Sequence, residues 1–130
     1  MNKSFLIINA KYYKDISDGL LKSAMNVLPS NCKTKIIDVP GVFEIPVTIS
    51  RNIRRYDAFI ALGCVIKGET PHFDFISQAS TNAIMKISVV NKKPIGNAIL
   101  TCLNKKQMSL RVNKGCEAAI AVCDVLNVKK

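Results

Sequence analysis

The stretch from Tyr56 to Asp74 reads YDAFIALGCVIKGETPHFD, and its order of residue types decides the fold. Ala58 to Ile66 is almost wholly apolar, as expected of a strand buried on both faces of a parallel sheet. Lys67, Gly68, Glu69, Thr70 and Pro71 follow as a short polar loop, ending at His72, the single histidine of the chain. Phe73, Ile76 and Ala79/Ala83 then begin a helical period. A buried strand, a polar loop and a helix N-terminus in that order present backbone N–H groups to an anion. Ligands of open α/β sheets bind at the carboxyl ends of the strands. The imidazole in the loop is suited to moving protons near neutral pH, so this is where a catalytic centre would lie if the chain has one.

Working outward, the same grammar repeats. Phe5 to Ile8 predicts a first strand, with Asn9 to Tyr13 as the loop at its carboxyl end. From Asp15 or Ser17, the spacing of Leu20, Leu21, Ala24 and Leu28 marks one helix face, stopped by Pro29-Ser30-Asn31. Lys35 to Val39 is a second strand, closed by Pro40-Gly41. Phe43 to Ile53 alternates like a strand, but Pro46 would remove a ladder hydrogen bond from a central one. Ile45 to Arg54 is therefore expected as a helix with Pro46 in its first turn, where the missing donor costs nothing. After the central strand, a helix is expected from about Phe73 to Asn91, a fourth strand over Pro94 to Leu100, a short helix over Lys105 to Arg111 and a last helix over Lys114 to Asn127. This β-α-β-α-β-α-β-α-α order implies a parallel sheet with helices on both faces and right-handed crossovers. The expected fold is an α/β three-layer αβα sandwich, flavodoxin-like, with strand order 2-1-3-4. No internal repeat or linker is visible, so residues 1–130 are expected to form one domain.

Composition narrows the class. With 130 residues and 48% hydrophobic content, the chain can bury a real core. The N-terminal MNKSFLIINAKYY carries an apolar run too short for a signal peptide and reads as a strand. No stretch approaches the ~18 apolar residues of a membrane span. The five cysteines (Cys32, Cys64, Cys102, Cys116, Cys123) are odd in number and lack CxxC spacing. A disulfide framework or zinc site is thus not expected, and a reducing cytoplasm fits. The net charge of +10 invites a nucleic-acid reading. The lysines are dispersed, however, and only Arg51, Arg54 and Arg55 cluster, without interleaved aromatic residues, so solvated surface lysines are the expectation and no nucleic-acid or membrane partner is inferred.

The predicted carboxyl ends of the strands carry Tyr12/Tyr13, Val42-Phe43-Glu44, Lys67 to His72, and Asn97 or Thr101. Together they offer aromatic faces, a carboxylate, an imidazole and backbone donors, which suits a flat polar ring plus an anion. Each has a plainer reading. A lone histidine beside a helix start also serves as a cap or surface residue, Tyr12 and Tyr13 as a cover for the sheet end, Gly41 and Gly68 as turn residues, and Glu44 as a partner of a helix dipole.

Four segments, PGVFEIP (Pro40 to Pro46), YDAFIALGCVIKGETPHFD, PIGNAILT (Pro94 to Thr101) and NKGCEAA (Asn113 to Ala119), resemble the lumazine synthases of riboflavin biosynthesis. The resemblance runs from the first strand to the final helix. It implies condensation of 5-amino-6-(ribitylamino)uracil with 3,4-dihydroxy-2-butanone 4-phosphate to 6,7-dimethyl-8-ribityllumazine, with release of phosphate and water and with no metal or redox cofactor. By position it implies that Tyr12 stacks on the pyrimidine and that Val42, Phe43 and Glu44 hold the ribityl chain. Cys64, Val65 and Ile66 would run their backbone along the pyrimidine edge, Glu69 and Thr70 would form the phosphate loop, and His72 would transfer protons. Asn97, Arg111 and Lys114 would complete the site from a neighbouring subunit, with Arg111 at the phosphate. It further implies a homo-oligomer, expected here as a pentamer, a ring from which some relatives build sixty-subunit shells.

Three departures accompany the resemblance. Asn97 stands where many relatives have an aromatic residue. Only Val112 and Asn113 separate Arg111 from Lys114, a shorter connection than is usual. The chain starts close to its first strand, leaving little N-terminal arm. The rival readings are a pentameric riboflavin synthase of related fold, a basic nucleic-acid-binding module and a non-catalytic shell or flavin-carrying protein. Thr70 with Arg111, a phosphate-binding pair, argues against the first, and His72 against the last.

Overall fold

The computed structural model describes residues 2–68 and 72–128. Four strands, β1 (Ser4–Ala10), β2 (Lys33–Val39), β3 (Ala58–Ile66) and β4 (Ile95–Cys102), alternate with α1 (Lys14–Met25), α2 (Ile45–Asn52) and α3 (His72–Asn91). Two further helices, α4 (Lys105–Leu110) and α5 (Lys114–Leu126), follow β4. All pairings are parallel, and the strand order is β2-β1-β3-β4, as the alternation predicts.

The apolar runs of β1 and β3 occupy the two central positions because each must be covered on both faces. Phe5 and Ile7 with Ala58, Ile60 and Leu62 pack under α1 and α5, while Leu6 and Ile8 with Phe59 and Ala61 pack under α2. Two cores thus sandwich one sheet, giving three layers. Pro46 lies in the first turn of α2, as its missing N–H requires.

Several boundaries differ from the sequence reading. Asn9 and Ala10, expected in a loop, extend β1, because the ladder with β2 runs on to the Ala10–Val39 pair. The Asn9 side chain is fully buried, with neither amide atom hydrogen-bonded among the described residues. β4 begins one residue later than expected and ends at Cys102. Asn97, read as a residue of the carboxyl rim, therefore lies inside the strand, paired with Ala61. Asn127 closes α5 rather than continuing it, since its backbone is left-handed, with φ 58°, a conformation asparagine tolerates at a helix end.

The approach of α5 to α1 depends on Gly115. A Cβ there would overlap the Leu20 carbonyl oxygen, and the adjacent Cys116 N–H donates to Ser23 Oγ at 2.8 Å. Gly115→Ala is expected to destabilise the fold by about 1–3 kcal/mol, the usual cost of overpacking. A lower midpoint in urea checks this; an unchanged midpoint would show that the two helices separate freely.

Candidate active site

At the carboxyl end of the sheet lies a cavity of about 620 Å³, and four segments build its walls. The turn after β1 supplies Tyr12 and Tyr13, and the turn after β2 supplies Gly41 to Glu44. The end of β3 supplies Cys64, Val65 and Ile66, and α3 supplies His72, Phe75, Ile76 and Ala79. The α3 residues are spaced i, i+3, i+4 and i+7, which sets them on one helix face. His72, the first residue of α3, therefore shares a wall with three apolar side chains.

Local chemistry fixes each wall. The ring of Tyr13 meets Tyr12 edge-on, with centroids 4.9 Å apart and planes at 82°, a favoured aromatic geometry. Tyr13 is half-buried and braces Tyr12, which stays 76% exposed with ring surface available to a ligand. Lys11, one residue earlier, bridges Asp18 of α1 and Asp38 of β2, tying the turn to its neighbours. The turn after β2 closes onto the sheet because β3 has Gly63 there. A Cβ on it would come within 2.8 Å of Val42 Cγ2 and 3.1 Å of Ala10 Cβ. Glu44 lies near the start of α2, and its Oε1 would be 3.3 Å from a Cβ on Gly41, so the carboxylate folds back over the turn.

The two ladders of β3 have different lengths. Pairing with β1 ends at Asn9–Leu62, whereas pairing with β4 continues to Ile66–Cys102. Beyond Leu62, β3 thus projects past its β1 neighbour along the cavity, so its main chain from Gly63 to Ile66 has an edge on the β1 side that the ladder does not use. Main-chain groups in this position can hydrogen-bond the rim of a flat heterocycle. Burial pushes the Tyr13 hydroxyl up in pKa, with smaller effects from Tyr12 and Cys64. Burial likewise pushes the Cys64 thiol up to about 12, helped by the neighbouring Cys102 sulfur. Tyr13 and Cys64 are therefore held neutral, and the lining also carries one carboxylate, Glu44, and one imidazole, His72.

A family model for 6,7-dimethyl-8-ribityllumazine synthase matches residues 2–130. The chain belongs to the 6,7-dimethyl-8-ribityllumazine synthase family. It is 41% identical to the enzyme so named in Bartonella bacilliformis, over 100% of this chain and 92% of that protein. It is 41% identical to that of Agrobacterium fabrum, over 96% of this chain and 93% of the other. It is 40% identical to 6,7-dimethyl-8-ribityllumazine synthase 1 of Rhodopseudomonas palustris, over 96% and 85% respectively.

Of the residues that resemblance to the lumazine synthase family marks, Tyr12, Val42, Phe43, Glu44, Cys64, Val65, Ile66 and His72 line this one cavity. Glu69 and Thr70 lie outside the described residues. Asn97, Arg111 and Lys114 are not among the lining residues. Asn97 Oδ1 accepts from the Ile99 N–H at 2.9 Å. Arg111 is exposed and caps α4, a helix started by reciprocal bonds from Gln107 N–H to Asn104 Oδ1 and from Leu103 N–H to Gln107 Oε1. Lys114 Nζ lies 3.9 Å from Glu117 Oε1. Tyr13, expected as an aromatic face or a cover for the sheet end, braces Tyr12, and Phe75, Ile76 and Ala79 are lining residues that the sequence reading did not mark. Counting the helical period from His72 instead of from the core would have found all three.

Proposed function

We propose that this chain condenses 5-amino-6-(ribitylamino)uracil with 3,4-dihydroxy-2-butanone 4-phosphate to give 6,7-dimethyl-8-ribityllumazine, phosphate and water. The observation that carries the reading is the convergence of Tyr12, the Val42–Glu44 turn, the projecting end of β3 and His72 on one cavity, in a chain of this family. The test is to incubate the pure protein with both substrates and follow the fluorescent lumazine. Absence of product from folded protein would overturn the proposal.

On this reading the uracil ring stacks on Tyr12 and its polar edge lies along the Cys64–Ile66 main chain. The ribityl chain passes the Val42–Glu44 turn, where Glu44 accepts from its hydroxyls. The amine attacks the ketone and water leaves to form an imine. Phosphate is then eliminated, and ring closure expels a second water. These steps are condensations and eliminations, so they exchange no electrons with a cofactor. Each moves a proton, the role assigned to His72, and holding two reactants together supplies much of the remaining acceleration. Glu69 and Thr70 are assigned to the phosphate.

Tyr12→Ala is expected to weaken uracil binding by about 1–3 kcal/mol, the usual worth of base–aromatic stacking, while Tyr12→Phe binds almost normally. Titration of each variant with the uracil substrate checks this, and equal losses in both would assign the role to the hydroxyl instead.

We further propose that residues 1–130 act as one cytoplasmic domain that assembles into a pentamer with shared active sites. Arg111, at the phosphate, and Lys114 and Asn97 then reach the cavity of an adjacent subunit. Two features support this reading. One side of α3 exposes Phe75, Met85 and Val89, and β4 is an edge strand that natural proteins cover or protect. Light scattering showing an active monomer would overturn it.

A further inference from the structure

We propose that Cys64 and Cys102 form a two-thiol site at the floor of the cavity that takes a soft, two-coordinate cation of the copper(I), silver(I) and mercury(II) class. Cys64 on β3 faces Leu100 across the ladder, and Cys102 is the next same-face residue of β4. Both belong to the core under α1 and α5, so their side chains leave the sheet on one side. Burial, with a smaller effect of the neighbouring Cys102 sulfur, raises the pKa of the Cys64 thiol. Cys64 also lines the cavity, whereas Cys102 is only 1% exposed. An entering ion therefore meets Cys64 first and finds its second ligand behind it.

The spacing favours a metal over a disulfide. Diagonal neighbours on a sheet have backbones about 7–8 Å apart, at or beyond the roughly 7 Å limit for an unstrained S–S bond. The β3–β4 ladder, which runs through Cys64 and ends at the Ile66–Cys102 pair, also limits closer approach. With metal–thiolate bonds of about 2.3 Å, a linear site instead places its sulfurs about 4.6 Å apart. A pair of thiolates suits ions content with two soft ligands. Binding breaks two S–H bonds, forms two metal–sulfur bonds and releases two protons, with no change of oxidation state. The bound ion would lie beneath the cavity and block it, acting as an inhibitor and not as a cofactor.

The probe is mercuric ion added to the full-length protein in its native assembly. Equilibrium dialysis against a competing monothiol should retain one ion per chain. Anomalous diffraction should place that ion between the Cys64 and Cys102 sulfurs. Cys102→Ala should bind on the order of 10²–10⁴-fold more weakly, the gain expected from a second tethered ligand. Lumazine formation by the unsubstituted protein should fall in step with uptake, while Cys102→Ala keeps its turnover and resists. This last arm rests on the proposed function, whereas uptake and location do not. An ion found at Cys32, Cys116 or Cys123 instead, or equal retention by Cys102→Ala, would overturn the proposal. If the variant fails to fold, the position of the ion in the unsubstituted protein decides alone.

Discussion

Replacing His72 with alanine or asparagine is expected to lower lumazine formation by roughly 10–10⁴-fold, the span of general acid–base contributions. The breadth reflects how far solvent can substitute for the imidazole. His72 lies on the face of α3 that also carries Phe75, Ile76 and Ala79, so the helix fixes where its ring enters the cavity wall. Removing the ring leaves Tyr12 and the end of β3 in place, and uracil binding should survive within a few-fold. Steady-state turnover and a separate binding titration distinguish the two effects. Turnover at the unsubstituted level would remove His72 from the reaction. Parallel loss of turnover and uracil binding would make it a structural residue.

The second large effect concerns Arg111. Its exposed position at the end of α4 gives no reason in the isolated chain for a strong phenotype, so a large one would point to a neighbouring subunit. A charge-assisted hydrogen bond contributes about 1.5–3 kcal/mol. Arg111→Ala should therefore weaken butanone phosphate by roughly 10–150-fold while sparing the uracil. Lysine should restore only part of the loss, because it lacks the planar fork that grips two phosphate oxygens. Unfolding the His72→Ala and Arg111→Ala variants together and refolding them as mixed rings should recover activity at interfaces that pair an intact His72 with an intact Arg111. Equal weakening of both substrates, or no recovery despite demonstrated mixing, would leave Arg111 as a cap of α4.

Much of this architecture was legible before any coordinates. The unbroken apolar runs in β1 and β3 could only be central strands, and Pro46 turned an apparent strand into a helix. Those readings fix the sheet order and bring the polar loops to one rim. What failed has physical reasons. Asn9 looks like a loop residue because a buried amide should find partners, and here none is present among the described residues. Ile76 and Ala79 have the spacing of a buried helix face, and Ile76 does pack against the core, but α3 buries Ser80 and Ile84 while Ile76 and Ala79 also line the cavity. Asn97, Arg111 and Lys114 are a different case. If the site is divided between chains, as proposed, it leaves no spacing signal within one of them, and only family resemblance marks those positions.

The unequal ladders of β3 have a consequence for how this site tolerates mutation. If the ring edge is read by peptide groups, the pattern of donors and acceptors is encoded by strand length and pairing offset, not by residue identity. Substitutions at Cys64, Val65 or Ile66 then alter the contour of the floor but cannot rewrite its polarity, with proline as the exception because it lacks the N–H. On this reading, relatives at 40% identity can vary these side chains without changing the pattern of peptide donors and acceptors. Changing that choice would require an insertion or deletion that slides β3 against β1, and a one-residue slip would invert both cores at once. On this reading, specificity for the ring would be protected by the stability of the sheet itself.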